Sequence, residues 1–117
     1  LLNANFLFDG ERLRIVDWEY AGMGDRFFDL ANFSINHELD TAQSAALLVA
    51  YFGEVRDEDV EALELMRFMS DFREAMWGVV QSAISELDFD FDTYASEHFE
   101  RLRRTAESPE FTAALDA

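Results

Sequence analysis

Two polar residues near the start, Asn5 and Asp17, have the types and the spacing to do chemistry together. Asn5 precedes the apolar run Phe6–Phe8, and Asp17 follows residues 13–16, apolar but for Arg14. Between the runs stands Asp9-Gly10, a turn signal, because Gly supplies the positive φ that a tight turn needs. A hairpin folded there puts Asn5 at the start of one strand and Asp17 just past the end of the other, so the two side chains meet at one end. An amide oxygen and a carboxylate on rigid strands are hard donors of the kind Mg²⁺ takes while it also holds phosphate. Asn before a strand and Asp after one are also ordinary turn residues. The spacing by itself leaves both readings open.

The rest of the chain must position that pair. Its 117 residues are 50% hydrophobic, enough for one domain with a real core. No internal repeat or low-complexity linker divides it. No apolar run is long enough to cross a bilayer and no signal-peptide pattern opens the chain, so a cytoplasmic location is expected. Cys is absent, which excludes disulfides and Cys-based metal sites. His37 and His98 have no ligand-like spacing. The formal charge of -16 argues against nucleic acid, whose phosphates would be repelled, and would attract a cationic small molecule or a basic partner. The same charge also serves solubility.

The elements follow from local signals. Ala21-Gly22-Met23-Gly24-Asp25 reads as a small-residue loop without the Lys of a P-loop. Asp29 reads as the N-cap of a first helix, with Leu30, Phe33 and either Ile35 or Leu39 on one side. Ala45, Leu48, Val49 and Phe52 recur at helical spacing over Thr41–Phe52, and Gly53 fits a C-terminal stop. Asp57 opens a long helix on which Val60, Leu63, Met66, Met69, Phe72, Met76, Val80, Ile84 and Leu87 step by three or four, predicting one buried stripe with Met as core filler. The acidic residues Glu54, Asp57, Glu58, Asp59 and Glu61 suit the start of that helix. Residues 87–92 alternate apolar with acidic and predict an extended connector. Tyr94, Phe99 and Leu102 share a face of the next helix, which ends in Arg101, Arg103 and Arg104. Ser108-Pro109-Glu110 opens a short final helix carrying Phe111, Ala114 and Leu115. The expected fold class is mainly α with an N-terminal β-hairpin.

Leu1-Leu2-Asn3-Ala4-Asn5 and Ile15-Val16-Asp17-Trp18-Glu19-Tyr20 resemble the catalytic hairpin of the kinase-like phosphotransferases that act on small molecules, the aminoglycoside and choline kinase group. That family carries His-x-Asp-x-x-x-x-Asn, a strand, a turn, a second strand and then a metal-binding Asp. The resemblance implies the helical C-terminal lobe of the protein-kinase-like fold. It implies that Asn5 and Asp17 hold Mg²⁺ against the phosphates of ATP. It implies a catalytic Asp immediately before Leu1, a His two places earlier, and a nucleotide-binding lobe with its phosphate-pairing Lys further upstream. This chain has no Lys. The expectation is therefore the C-terminal part of a larger enzyme, inactive by itself. Asp29, in a matching Asp-Leu-Ala segment, is implied to brace the catalytic loop from behind. Trp18 and Glu19 are implied to lie near the acceptor side.

A second resemblance concerns the acceptor. Trp77-Gly78-Val79-Val80-Gln81, Ile84-Ser85, Phe89-Asp90-Phe91, Tyr94-Ala95 and Phe99 resemble the closing helices of choline and ethanolamine kinases. There an aromatic cage of Trp and Tyr binds the quaternary ammonium, each ring face contributing roughly 0.5–2 kcal/mol. Trp77 and Tyr94 match two cage positions. The family's further Trp, three residues before the first, is replaced by Glu74, a carboxylate that could pair with an ammonium instead. This keeps ethanolamine and other amino alcohols open beside choline. Spacing alone also allows Trp77 and Tyr94 to be core residues. The implied partners are a cationic small-molecule substrate, the N-terminal lobe and a second copy in a homodimer, with no nucleic acid and no membrane. The competing readings are an aminoglycoside or other small-alcohol phosphotransferase, a non-catalytic cation-binding helical module, and a plain helical interaction domain.

Overall fold

The computed structural model describes residues 3–117. Leu1 and Leu2, the first two places of the hairpin motif, lie outside the described residues. A 3-10 turn over Asn3–Asn5 leads into strand β1 (Phe6–Phe8), which pairs antiparallel with β2 (Leu13–Ile15). Phe6 lies opposite Ile15, Leu7 opposite Arg14 and Phe8 opposite Leu13. The connection is four residues long and is organised by Asp9. Its Oδ1 accepts from the backbone N–H of Glu11 at 3.0 Å and of Arg12 at 2.9 Å, and Gly10 takes a φ of 100°. These bonds favour the ionised form, the one from Arg12 most, and hold the Asp9 carboxyl below its ordinary range. The strands stand on the surface. Phe6 anchors them, its ring edge-on to Phe33 at 5.5 Å and to His37 at 5.6 Å.

Five helices follow: α1 (Arg26–Asn36), α2 (Thr41–Phe52), α3 (Asp57–Ile84), α4 (Phe91–Ala106) and α5 (Pro109–Asp116). The chain is mainly helical with one hairpin, as expected. The start of α1 differs from the reading above. Asp25, not Asp29, is the N-cap, its side chain accepting from the Phe27 N–H at 2.9 Å. The earlier start lets Phe27 join the core, and leaves Asp29 exposed in the first turn. Helix α2 has the expected bounds. Asp40 and Gln43 form a capping box, and Gly53 at φ 86° ends it. Helix α5 opens as read, with the Ser108 hydroxyl accepting from the Phe111 N–H.

Helix α3 is the axis of the molecule, packing against α1, α4 and α5. Leu30, Ala31, Leu48 and Leu63 form the core where α1, α2 and the first half of α3 meet, with Val60 and Met66 against it. The second half corrects the predicted stripe. Met69, Phe72, Met76, Val80 and Ile84 are exposed, whereas Ser70, Asp71, Ala75 and Gly78 are buried. Small residues let α4 approach closely. A Cβ on Gly78 would stand only 3.0 Å from the Ala95 Cβ. Leu87 falls outside the helix, because Ser85 turns extended and its hydroxyl accepts from the Leu87 N–H. The connector is also shorter than expected. Asp90 caps α4, so Phe91 and Asp92 are already helical. Of the expected α4 face, Tyr94 and Leu102 are half-buried but Phe99 is exposed, the inner side being formed by Phe91 and Ala95.

Beneath this contact lies a buried ion pair. Asp71 is fully buried, and the Nε–H of Arg101 donates to its carboxylate at 2.9 Å. Arg101 also donates to Asn36 Oδ1 at 2.9 Å and to the Ile35 carbonyl at 3.4 Å. One guanidinium thus ties α4 to α3 and to the end of α1.

Candidate functional site

The hairpin brings Asn5 and Asp17 to its open end. The pairing that starts at Phe6 and Ile15 continues one step further, where the Val16 N–H donates to the Asn5 carbonyl at 2.9 Å. Asp17 is the next residue. Its φ of 65° is left-handed, a region that Asp tolerates better than most residues but that still costs energy. The turn ends the strand abruptly and leaves the carboxylate exposed. Trp18 folds back, its indole N–H donating to the Ile15 carbonyl at 2.8 Å, and the Ala21 N–H closes a turn onto the Trp18 carbonyl at 3.0 Å. Glu19 lies exposed within that turn.

Whether this pair suits Mg²⁺ is a question of donor chemistry. One amide oxygen and one carboxylate are hard donors, and both belong to one rigid hairpin end. Magnesium is commonly held by one or two carboxylates, with phosphates and water completing its shell. The pair fits that pattern. Among the described residues, no group of three or more His, Cys, Asp or Glu is arranged to hold a metal by itself. His37 and His98 are used structurally: the Nδ1 of each lies 2.8 Å from the carbonyl four residues back, and each ring packs on the aromatic ring there.

The aromatic residues form a second centre, between α3 and the start of α4. Trp77 and Tyr94 meet at 5.6 Å with their planes at 72°. Trp77 meets Phe91 in the same way, at 5.6 Å and 73°. Phe89 adds a further ring, 4.8 Å from Phe91 and 6.0 Å from Tyr94. Trp77 keeps 38% of its surface exposed and Phe89 55%. The result is a corner of near-perpendicular ring faces, open to solvent on one side. A groove of about 220 Å³ adjoins it, lined by Ser82, Ser85, Leu87, Phe89, Asp90, Phe91 and Asp92.

Glu74 stands behind Tyr94 with both oxygens engaged. The Tyr94 hydroxyl donates to Oε2 at 2.7 Å, and Arg73 Nη1 donates to Oε1 at 2.7 Å. Burial, and then the bond to Glu74, push the Tyr94 hydroxyl above its ordinary range, so it remains the donor. Arg73 also lies over two rings, Tyr20 at 5.8 Å and Phe28 at 5.9 Å. Contacts therefore run without a break from Tyr20, three residues after Asp17, through Arg73 and Glu74 to Tyr94 and Trp77. Reading the sequence missed Arg73, and placed Tyr20 and Phe91 in the matched motifs without giving either a role. Neighbours at i and i+1 do not normally face each other on a helix, so Arg73-Glu74 carried no signal. Asp29 is exposed in the first turn of α1.

The family model for the phosphotransferase enzyme family (APH) matches residues 1–67, which include the hairpin, α1, α2 and the start of α3. A crystal structure of a choline/ethanolamine kinase family protein from Mesorhizobium loti superposes with a TM-score of 0.88 and 38% sequence identity over 98% of this chain. The chain spans 40% of that protein's length. No curated protein matches it.

Proposed function

Given that the chain belongs to the phosphotransferase enzyme family, with the fold of a helical kinase-like C-terminal lobe, we propose that it holds the metal seat and the acceptor seat of an ATP- and Mg²⁺-dependent kinase acting on choline or a related amino alcohol. The observation that carries the reading is the hairpin end. The Val16 N–H bonds to the Asn5 carbonyl and the left-handed turn follows at Asp17, so an amide and a carboxylate stand at one end of the hairpin, a donor set that suits Mg²⁺. Asn5 and Asp17 would hold the ion, which when bound neutralises charge on the transferring phosphoryl group. Trp77 and Tyr94 would bind the acceptor's cationic head through their ring faces and exclude water from it. Trp18 and Glu19 would flank the path between the seats. Asp29 would steady the loop that carries the general base in the rest of the enzyme. The acidic surface would draw a cation towards both.

The test is an ATP-dependent transfer assay on the full-length protein, with choline, ethanolamine and an aminoglycoside as acceptors, each with Mg²⁺ and with EDTA. Choline or ethanolamine should be phosphorylated only with Mg²⁺. Transfer to the aminoglycoside alone would overturn the amino-alcohol reading, and transfer unaffected by EDTA would overturn the metal seat.

A further inference from the structure

Resting on the amino-alcohol reading, we propose that Arg73 is a specificity-determining residue: by occupying Glu74 it makes the aromatic corner select a permethylated cation over a primary ammonium. Among the described residues, Glu74 is the one carboxylate that hydrogen-bonds to a ring of the corner, through the Tyr94 hydroxyl at 2.7 Å. A carboxylate so placed would ordinarily favour a primary ammonium, which can donate hydrogen bonds to it. Here each oxygen already holds one donor, and the Arg73 guanidinium offsets the carboxylate's charge. Arg73 donates to Oε1 at 2.7 Å, and Tyr94 donates to Oε2. The guanidinium is itself held between Glu74 and the rings of Tyr20 and Phe28, so it stays beside the carboxylate. Arg73 and Glu74 together carry no net charge, and what faces the ligand is ring surface.

The two kinds of ligand respond differently to such a wall. A primary ammonium must give up water and finds its natural acceptor already bonded to two donors. A permethylated cation has no N–H to satisfy and is attracted by the faces of Trp77 and Tyr94 alone. Selection therefore arises from the occupied acceptor as much as from the rings. The link through Tyr20 also ties this selection to the segment that follows Asp17.

The experiment is titration calorimetry of the full-length protein with tetramethylammonium and with methylammonium, probes that need no transfer step. Wild type should bind tetramethylammonium more tightly. Arg73→Gln frees one oxygen of Glu74 and should shift the ratio of affinities towards methylammonium by about tenfold, the size of one hydrogen bond to a charged group. The double variant Arg73→Gln/Glu74→Gln removes the freed charge and should return the ratio to the wild-type value. Glu74→Gln alone should weaken both ligands and keep the preference. An unchanged ratio in Arg73→Gln, a shift that persists in the double variant, or a preference lost in Glu74→Gln would each overturn the role of Arg73 while leaving the aromatic site standing. Wild type binding neither probe, or Trp77→Ala binding both as well as wild type does, would instead overturn the amino-alcohol reading and this inference with it.

Discussion

The hairpin end and the aromatic corner are built by different physics. Asn5 and Asp17 are positioned by backbone: a strand register, one left-handed residue and a turn closed by Trp18. Their surroundings are exposed, and one ring, Phe6, anchors the strands to α1. The corner is positioned by side chains: perpendicular rings, a Tyr94–Glu74–Arg73 relay, and two helices in close contact over a buried ion pair. The difference follows the chemistry. Two oxygens proposed to take a metal need direction, and contact with water does them no harm. Rings that attract a cation work only where water is displaced, so they need packing. Damage to the two regions should therefore read out differently.

The largest effect should come from the foundation of the corner. Asp71→Ala leaves the Arg101 guanidinium without its carboxylate between α1, α3 and α4. Breaking a buried pair typically costs about 3–5 kcal/mol. Arg101 keeps a quarter of its side chain exposed and can turn towards water, which favours the lower end, about 3 kcal/mol. Chemical denaturation should show the loss as a lower midpoint with an unchanged slope. A loss under about 1 kcal/mol would mean that the pair does not hold the corner together.

At the hairpin end, stability and activity should part company. Asp17→Gly removes the carboxylate and also relieves the left-handed strain at φ 65°. Transfer by the full-length protein should fall by about 100-fold or more, since even residues that only support a metal ligand are worth about 10–100-fold. Stability should stay level or rise by less than about 1 kcal/mol. Paired kinetics and thermal melts check both signs. Undiminished transfer in Asp17→Gly would remove the metal seat from this hairpin.

These contrasts also explain what could be read in advance. The hairpin, α2 and α5 are written in local signals: Gly10, Gly53 and the Ser108-Pro109 pair. At α1 the reading placed the cap at Asp29, four residues too late, because the packing of Phe27 against the core, which favours the earlier start at Asp25, leaves no local mark in the sequence. The α3 stripe failed for another reason. Periodicity finds an apolar row, but not which row meets a neighbour. Along the second half of α3 the neighbours are met by Ser70, whose hydroxyl accepts from Asn32 of α1, and by Ala75 and Gly78, whose smallness matters more than their hydrophobicity. The site divides along the same line. Asn5 and Asp17 are twelve positions apart on one hairpin and legible as a pair. Trp77 and Tyr94 come together only once α4 folds onto α3, and the grip of Arg73 on Glu74 depends on the rings of Tyr20 and Phe28 from elsewhere in the chain.

Gly78→Ala offers the finest probe of the corner, because two effects of similar size oppose each other. Replacing an interior helical Gly by Ala gains about 0.5–1 kcal/mol from backbone entropy. The added Cβ would lie 3.0 Å from the Ala95 Cβ and from the Tyr94 Cδ1, and 3.2 Å from the Ala95 Cα. Neither atom of Ala95 can swing aside, as the tip of a long side chain could, so α4 itself must shift by a few tenths of an ångström. Overpacking of this kind costs about 1–3 kcal/mol. The steric term should win, leaving a net loss of about 1 kcal/mol. The shift would also turn Tyr94 away from Glu74, so tetramethylammonium affinity should fall while Mg²⁺-nucleotide binding stays as it was. A variant that gains stability would show that α3 and α4 have room to spare, and that the corner's geometry is not set by this contact.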